Sequence, residues 1–104
     1  MIERHWSAIA KTEDAGSYID HLKEETFVNL KRIDGFINAK ILTRTNQVGV
    51  NFLVITEWEN VNAIKQFAGE NFEIAVVPDK VKAMMLTYDQ TVQHYEVRYK
   101  TTDS

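Results

Sequence analysis

A long amphipathic stretch between two alternating runs, two β-rich runs joined by a short polar turn, and a second capped helix before a closing alternating run predict an α+β domain. The order strand, helix, strand, strand, helix, strand is the ferredoxin-like βαββαβ arrangement, with a four-stranded antiparallel sheet carrying both helices on one face. Each element has its own justification.

The run IERHWSAIA, from Ile2 to Ala10, reads as the first strand. Period two places Ile2, Arg4, Trp6, Ala8 and Ala10 on one side and Glu3, His5, Ser7 and Ile9 on the other. Asp14 stands at a helix N-cap position. From there Ala15, Tyr18, Ile19, Leu22, Thr26, Leu30 and Ile33 recur at helical steps, and Gly35 is placed to end the helix in a left-handed conformation. FINAKILTRT and VNFLVITEW are rich in β-branched and aromatic residues, and the turn NQVG between them makes a hairpin. Asn60 caps a second helix with Val61, Ile64, Phe67 and Ala68 inward and Gly69 at its end.

A short apolar helix is expected around NFEIAVV, broken at Pro78. Asp79 to Leu86 has weak helical spacing, and Tyr88 and Asp89 begin a loop. The run TVQHYEVRY, from Thr91 to Tyr99, is the fourth strand. Gln93, Tyr95, Val97 and Tyr99 form its expected packed side. Val92, His94, Glu96 and Arg98 form the other, whose polar groups need partners in a cavity or across an interface, because burying them unpaired costs several kcal/mol.

At 104 residues the chain is one domain, 1–104, with about 100–104 a disordered tail. A chain of this size buries about 60–70% of its unfolded surface without staples. A composition of 44% hydrophobic and 26% charged residues is that of a globular protein, and no segment approaches the roughly 18 apolar residues of a membrane span. A formal charge of -3 with no basic cluster speaks against nucleic acid or an anionic membrane as partner. The chain has no cysteine, which removes disulfides, thiolate metal sites and thiol nucleophiles and fits a cytoplasmic location. MIERHWSAIA lacks the pattern of a secretory leader.

The third strand wants burial on both sides, with Phe52, Val54 and Trp58 on one and Leu53 and Ile55 on the other. The helices cover only one face, so a second copy packed sheet to sheet is the simplest cover for the other. Among titratable residues, no HxH, HxxxH or HExxH occurs. A site built from His5 and His94 with Glu3 and Glu96 is conceivable on neighbouring strands, but the spacing signal is weak, and no metal is expected. No phosphate loop, dinucleotide fingerprint or Ser-His-Asp order is present. Trp6, Tyr18, Phe67 and Tyr88 suit the wall of a pocket for a flat aromatic ligand, whereas Phe52 and Phe72 suit the core.

The block EWENVNAIKQFAGENFEIAVVPDKVKAMMLTYDQTVQHYEV resembles the C-terminal half of the antibiotic biosynthesis monooxygenase domain, and AGSYIDHLKEETFVNLKRIDGFINAKILTR is similar to its first helix and following strand. The resemblance implies a dimeric ferredoxin-like α/β barrel with a pocket in each subunit between helices and sheet. It implies a small-molecule monooxygenase of the cofactor-independent kind, acting on aromatic phenols or quinols. The same fold can also serve as a non-catalytic dimeric module. The haem-degrading branch needs an asparagine, a tryptophan and a histidine where this chain aligns Trp6, Phe67 and Val77, so haem degradation is not expected and no cofactor is implied. Within the resemblance, His94 is the candidate base, with Arg98 and Tyr88 as donors to an oxyanion. Trp6, Tyr18, His21, Trp58, Phe67 and Val77 are the candidate substrate-binding residues.

Overall fold

The computed structural model describes residues 1–101. Of the expected tail, residues 102–104 lie outside the described residues, while Lys100 reaches back to Glu57 on the sheet. Five strands, β1 (Ile2–Ala10), β2 (Phe36–Thr45), β3 (Val50–Trp58), β4 (Met85–Tyr88) and β5 (Gln93–Glu96), form one antiparallel sheet. The order is β2-β3-β1-β4, with β5 also paired to β1. β4 and β5 together fill the fourth position, which gives the ferredoxin-like order.

β1 is the central strand. It runs against β3 from Ile2↔Trp58 to Ala10↔Val50, and against β4 and β5 through Ala8↔Tyr88 and Arg4↔His94. Its even-numbered residues face the helices and its odd-numbered ones the outer face, as the alternation predicts. On β3 the inner set is Phe52, Val54, Thr56 and Trp58, and the outer set is Leu53, Ile55 and Glu57. The hairpin turn is held by Asn46, whose Oδ1 accepts from the backbone of Val48 at 2.9 Å and of Gly49 at 3.2 Å.

The first helical arm is α1 (Ala15–His21), a π-helical segment Leu22–Thr26, and α2 (Phe27–Leu30). Asp14 precedes it without a side-chain capping bond. The arm stops at Leu30, earlier than the periodicity suggests, and Ile33 lies in the turns that lead to Gly35. The second helix, α3 (Val61–Ala68), has the expected cap: Asn60 Oδ1 accepts from the Ala63 backbone at 2.9 Å.

Three expectations downstream are corrected. No helix forms around NFEIAVV: the chain makes one turn, closed by the Ile74 N–H on the Asn71 carbonyl at 3.0 Å, and then bridges the fourth-strand region through Ile74↔Thr91. Only Asp79–Lys82 (α4) is helical after Pro78; Met85–Tyr88 pairs with β1 as β4, so Tyr88 ends a strand rather than opening a loop. The two sides of the last strand are also exchanged. Tyr95 is 55% and Tyr99 81% exposed, whereas Val92 is buried and His94 faces the helices opposite Arg4. Alternation defines two sides, but the register with β1 decides which is inward.

The inner face carries two apolar clusters. One joins Ala8, Ala10, Tyr18, Leu22, Val50, Phe52, Val54, Val81 and Met85; the other joins Leu30, Trp58, Ala63 and Ile64. Gly35 fixes the second. Its φ is +94°, and an added Cβ would stand 2.7 Å from that of Ala63. Gly35→Ala is expected to lower the stability by roughly 2–4 kcal/mol through backbone strain and overpacking. Gly16→Ala, where nothing lies within 4 Å of an added Cβ, should be neutral or stabilising. Urea denaturation of both variants checks this, and equal midpoints would count against the close approach.

Candidate functional site

Between the two clusters the core does not close. A cavity opens there, walled by Arg4 and Trp6 of β1, Val54 and Thr56 of β3, the helical arm, Phe67 of α3, and Val76, Pro78, Val81 and Val92. It offers about 70 Å³ to the centre of a water-sized sphere. One water needs only about 10–15 Å³ by that measure and a cavity that holds benzene about 150 Å³, so the space takes several waters, and a ligand that enters is no larger than a single ring.

The arm supplies Tyr18, His21, Leu22, Thr26, Phe27 and Leu30 to this wall. A regular α-helix would turn residues five apart well away from each other. Here the Phe27 N–H bonds to the Leu22 carbonyl, five residues back, and this π register brings Thr26 beneath His21. His21 is 8% exposed and stacks on Tyr18 at 6.4 Å between ring centroids. Its Nδ1 lies 3.3 Å from Glu25 Oε2, an oxygen that can only accept, so Nδ1 carries the proton. The Nε2 lone pair has only a long contact, 3.4 Å, to the Thr26 hydroxyl. Lys80 Nζ, 2.7 Å from the same Glu25 oxygen, holds that carboxyl below its ordinary range, with a smaller contribution from His21. Burial pushes the Tyr18 phenol well up, so it stays protonated.

Across the cavity is Arg4, 5% exposed, on an otherwise apolar strand face. Its Nη1 donates to the Phe72 carbonyl and, at 3.1 Å, to His94 Nε2; its Nη2 donates to the Ile74 carbonyl at 3.3 Å. The guanidinium lies over the Phe67 ring at 5.7 Å, a cation–π contact. Among the described residues no carboxylate lies within 4.0 Å of it. Desolvation lowers its pKa to about 10, which still leaves it charged at neutral pH.

The candidate residues divide on this geometry. Trp6, Tyr18, His21 and Phe67 share the cavity wall. Trp58 is fully buried one layer behind, stacked on Phe67 at 6.1 Å and donating from Nε1 to Thr56 Oγ1 at 2.8 Å. Val77 packs into the first cluster, while its neighbours Val76 and Pro78 face the cavity. Tyr88 borders a separate shallow groove with Ser7, Leu42 and Leu53. Arg98 is solvent-exposed and paired with Glu96 at 3.3 Å. His94 reaches the cavity only through Arg4. Because a guanidinium can only donate, the His94 Nε2 lone pair is occupied, and it is not free to act as a base.

Arg4 itself belongs to no motif in the sequence. Its signal was a lone cation between Ile2 and Trp6 on the inward side of a strand. His5 lies on the outer face, 2.9 Å from Glu3, so it shares no site with His94. Among the described residues no three His, Asp or Glu side chains gather as a metal site requires, and no helix is long and apolar enough to cross a membrane.

This is the architecture of the antibiotic biosynthesis monooxygenase domain. The chain is similar to a Bacillus cereus protein named as a candidate antibiotic biosynthesis monooxygenase, with 18% identity, a TM-score of 0.65, and 95% of this chain and 94% of that chain covered. It is similar also to an asparagine-to-alanine variant of SnoaB, a cofactor-independent oxygenase from Streptomyces nogalater. There the identity is 13% and the TM-score 0.67, with 98% of this chain and 97% of that chain covered. At these identities the likeness is one of fold. No family model and no curated protein matches the sequence.

His94 gives a pH prediction. Burial first, then the charge of Arg4, lower its pKa against a smaller opposing effect of Glu73. Below the ordinary imidazole value, about 6.5, the unfolded chain takes up a proton that the folded chain resists, so stability falls as pH drops below that value. The melting temperature should decline between about pH 7 and pH 5, and less steeply in His94→Gln, whose amide oxygen can still accept from Arg4. Identical slopes would remove His94 as the cause.

Proposed function

We propose that this protein is a small-molecule monooxygenase of the cofactor-independent kind, acting on a single-ring aromatic phenol or quinol. The observation that carries this reading is the ring-walled cavity containing an imidazole backed by a carboxylate. His21, with its Nδ1 proton held by Glu25, offers Nε2 as general base for a phenolic hydroxyl. This takes over the role that the sequence suggested for His94. The resulting phenolate is electron-rich enough to reduce dioxygen itself. One oxygen atom enters the ring and the other leaves as water, so that a phenol becomes a quinone and the substrate supplies all four electrons. The protein contributes a dry site, a base and orientation.

The long Thr26 contact on Nε2 favours a second reading, a binding module that holds such a ring without chemistry. Oxygen uptake by the purified protein across a panel of phenols and hydroquinones separates the two. In the first reading His21→Gln lowers uptake about 100-fold or more with the fold retained by circular dichroism; uptake that never exceeds the protein-free rate supports the second.

The working unit in this proposal is a homodimer in the cytoplasm. Leu42, Leu53, Ile55 and Tyr95 share the outer sheet face; Leu42 and Tyr95 are exposed in the single chain, whereas Ile55 is already buried there. Light scattering should give twice the chain mass, and Leu53→Asp should halve it or unfold the protein. A wild-type monomer would dispose of the dimer.

A further inference from the structure

We infer that Arg4 makes the cavity an anion site, so that its ligand is a single ring bearing one deprotonated oxygen acid, a phenolate or a carboxylate. The inference rests on the proposed reading only in taking the cavity as the ligand site.

A guanidinium has five N–H donors. Three are taken, by the Phe72 and Ile74 carbonyls and His94 Nε2, and all three acceptors are neutral. The Nε–H and the second Nη2–H make no hydrogen bond within the described residues. The group is 5% exposed and lines the cavity, so a ligand that enters can supply the contacting negative charge that Glu73, whose effect reaches His94 beside it, does not. Buried cations are ordinarily paired with carboxylates, and this one has none within 4.0 Å among the described residues. The rest of the wall suits a ring: Trp6, Tyr18 and Phe67 supply aromatic faces and edges. The carbonyls and His94 fix the guanidinium before any ligand arrives, which lowers the entropy lost on binding. His94 is thus a positioning residue for Arg4. A dicarboxylate or a phosphate dianion would meet only one cation on this wall, and the imidazole there, His21, already faces a carboxylate.

The test uses 4-nitrophenol, whose ionised form absorbs in the visible, and 4-nitroaniline as its neutral match in shape. Wild-type protein should bind the phenolate about 10- to 100-fold more tightly than the aniline. The bound dye should stay ionised about one pH unit or more below its transition in free solution. Arg4→Gln should abolish both effects and still bind the aniline. Displacement of the dye by benzoate but not by benzamide would identify a carboxylate as an accepted acid. Retention of the dye against benzoate would restrict the site to phenolates.

Equal wild-type affinity for dye and aniline overturns the inference, as does displacement by benzamide as readily as by benzoate. An ionised dye held equally well by Arg4→Gln, or no binding of either anion at millimolar concentration, also overturns it. Because the wild-type comparison stands alone, a variant that fails to fold leaves the test decisive. Oxygen uptake measured in parallel separates the two readings: an Arg4-dependent phenolate site without turnover keeps the anion site and removes the oxygenase. Turnover of neutral and anionic rings at equal efficiency does the reverse.

Discussion

Arg4 carries its charge between Ile2 and Trp6 on the inward face of the central strand, and the domain must solvate it with its own backbone. Taking a cation out of water costs several kcal/mol, and hydrogen bonds to a charged group return roughly 1.5–3 kcal/mol each. Two of the three that Arg4 makes come from the carbonyls of Phe72 and Ile74. Through the turn in which the Ile74 N–H donates to the Asn71 carbonyl at 3.0 Å, successive carbonyls point different ways. Those of Phe72 and Ile74 turn to Arg4, while that of Glu73 accepts from the Val92 N–H at 2.8 Å, and Ala75 N–H donates to the Gln90 carbonyl at 2.9 Å. A helix over this apolar segment would turn those carbonyls along its own axis and leave the guanidinium bare. The same pairing draws Thr91 and Val92 away from β1, which is why the fourth strand comes in two pieces.

Much of the fold was legible because its signals are local. β1, β2 and β3 begin and end where their alternation and turn residues indicate, and the Asn60 cap forms as expected. These depend on neighbouring residues, which a sequence displays directly. The region from Asn71 to Glu96 depends on a charge set down near the start of the chain, and no window of sequence contains both. The π segment was invisible for a related reason: periodicity read at 3.6 residues absorbs Leu22 and Thr26 as ordinary helical positions.

For the candidate site, residue type was easier to read than orientation. Trp6, Tyr18, His21 and Phe67 reach the cavity because each lies on the inward stripe of its element. His94 is the histidine of the last strand, yet its inward position places it against a guanidinium that occupies its lone pair. A histidine on a helix is ordinarily a surface residue, whereas His21 is buried. Its importance comes from the π register and from Lys80, fifty-nine positions later, which holds Glu25 in place.

The central position of β1 has a consequence for how the protein is made. A ribosome delivers β1 first, and it then waits without a sheet partner until Val50–Trp58 has followed. The β2–β3 hairpin, closed by a four-residue turn, has both halves available soon after one another. Arg4 stays in water until Phe72, Ile74 and His94 have been synthesised. The wall that surrounds the buried charge is therefore completed only when the last strand has been made, so a nascent or truncated product has a sheet before it has a site.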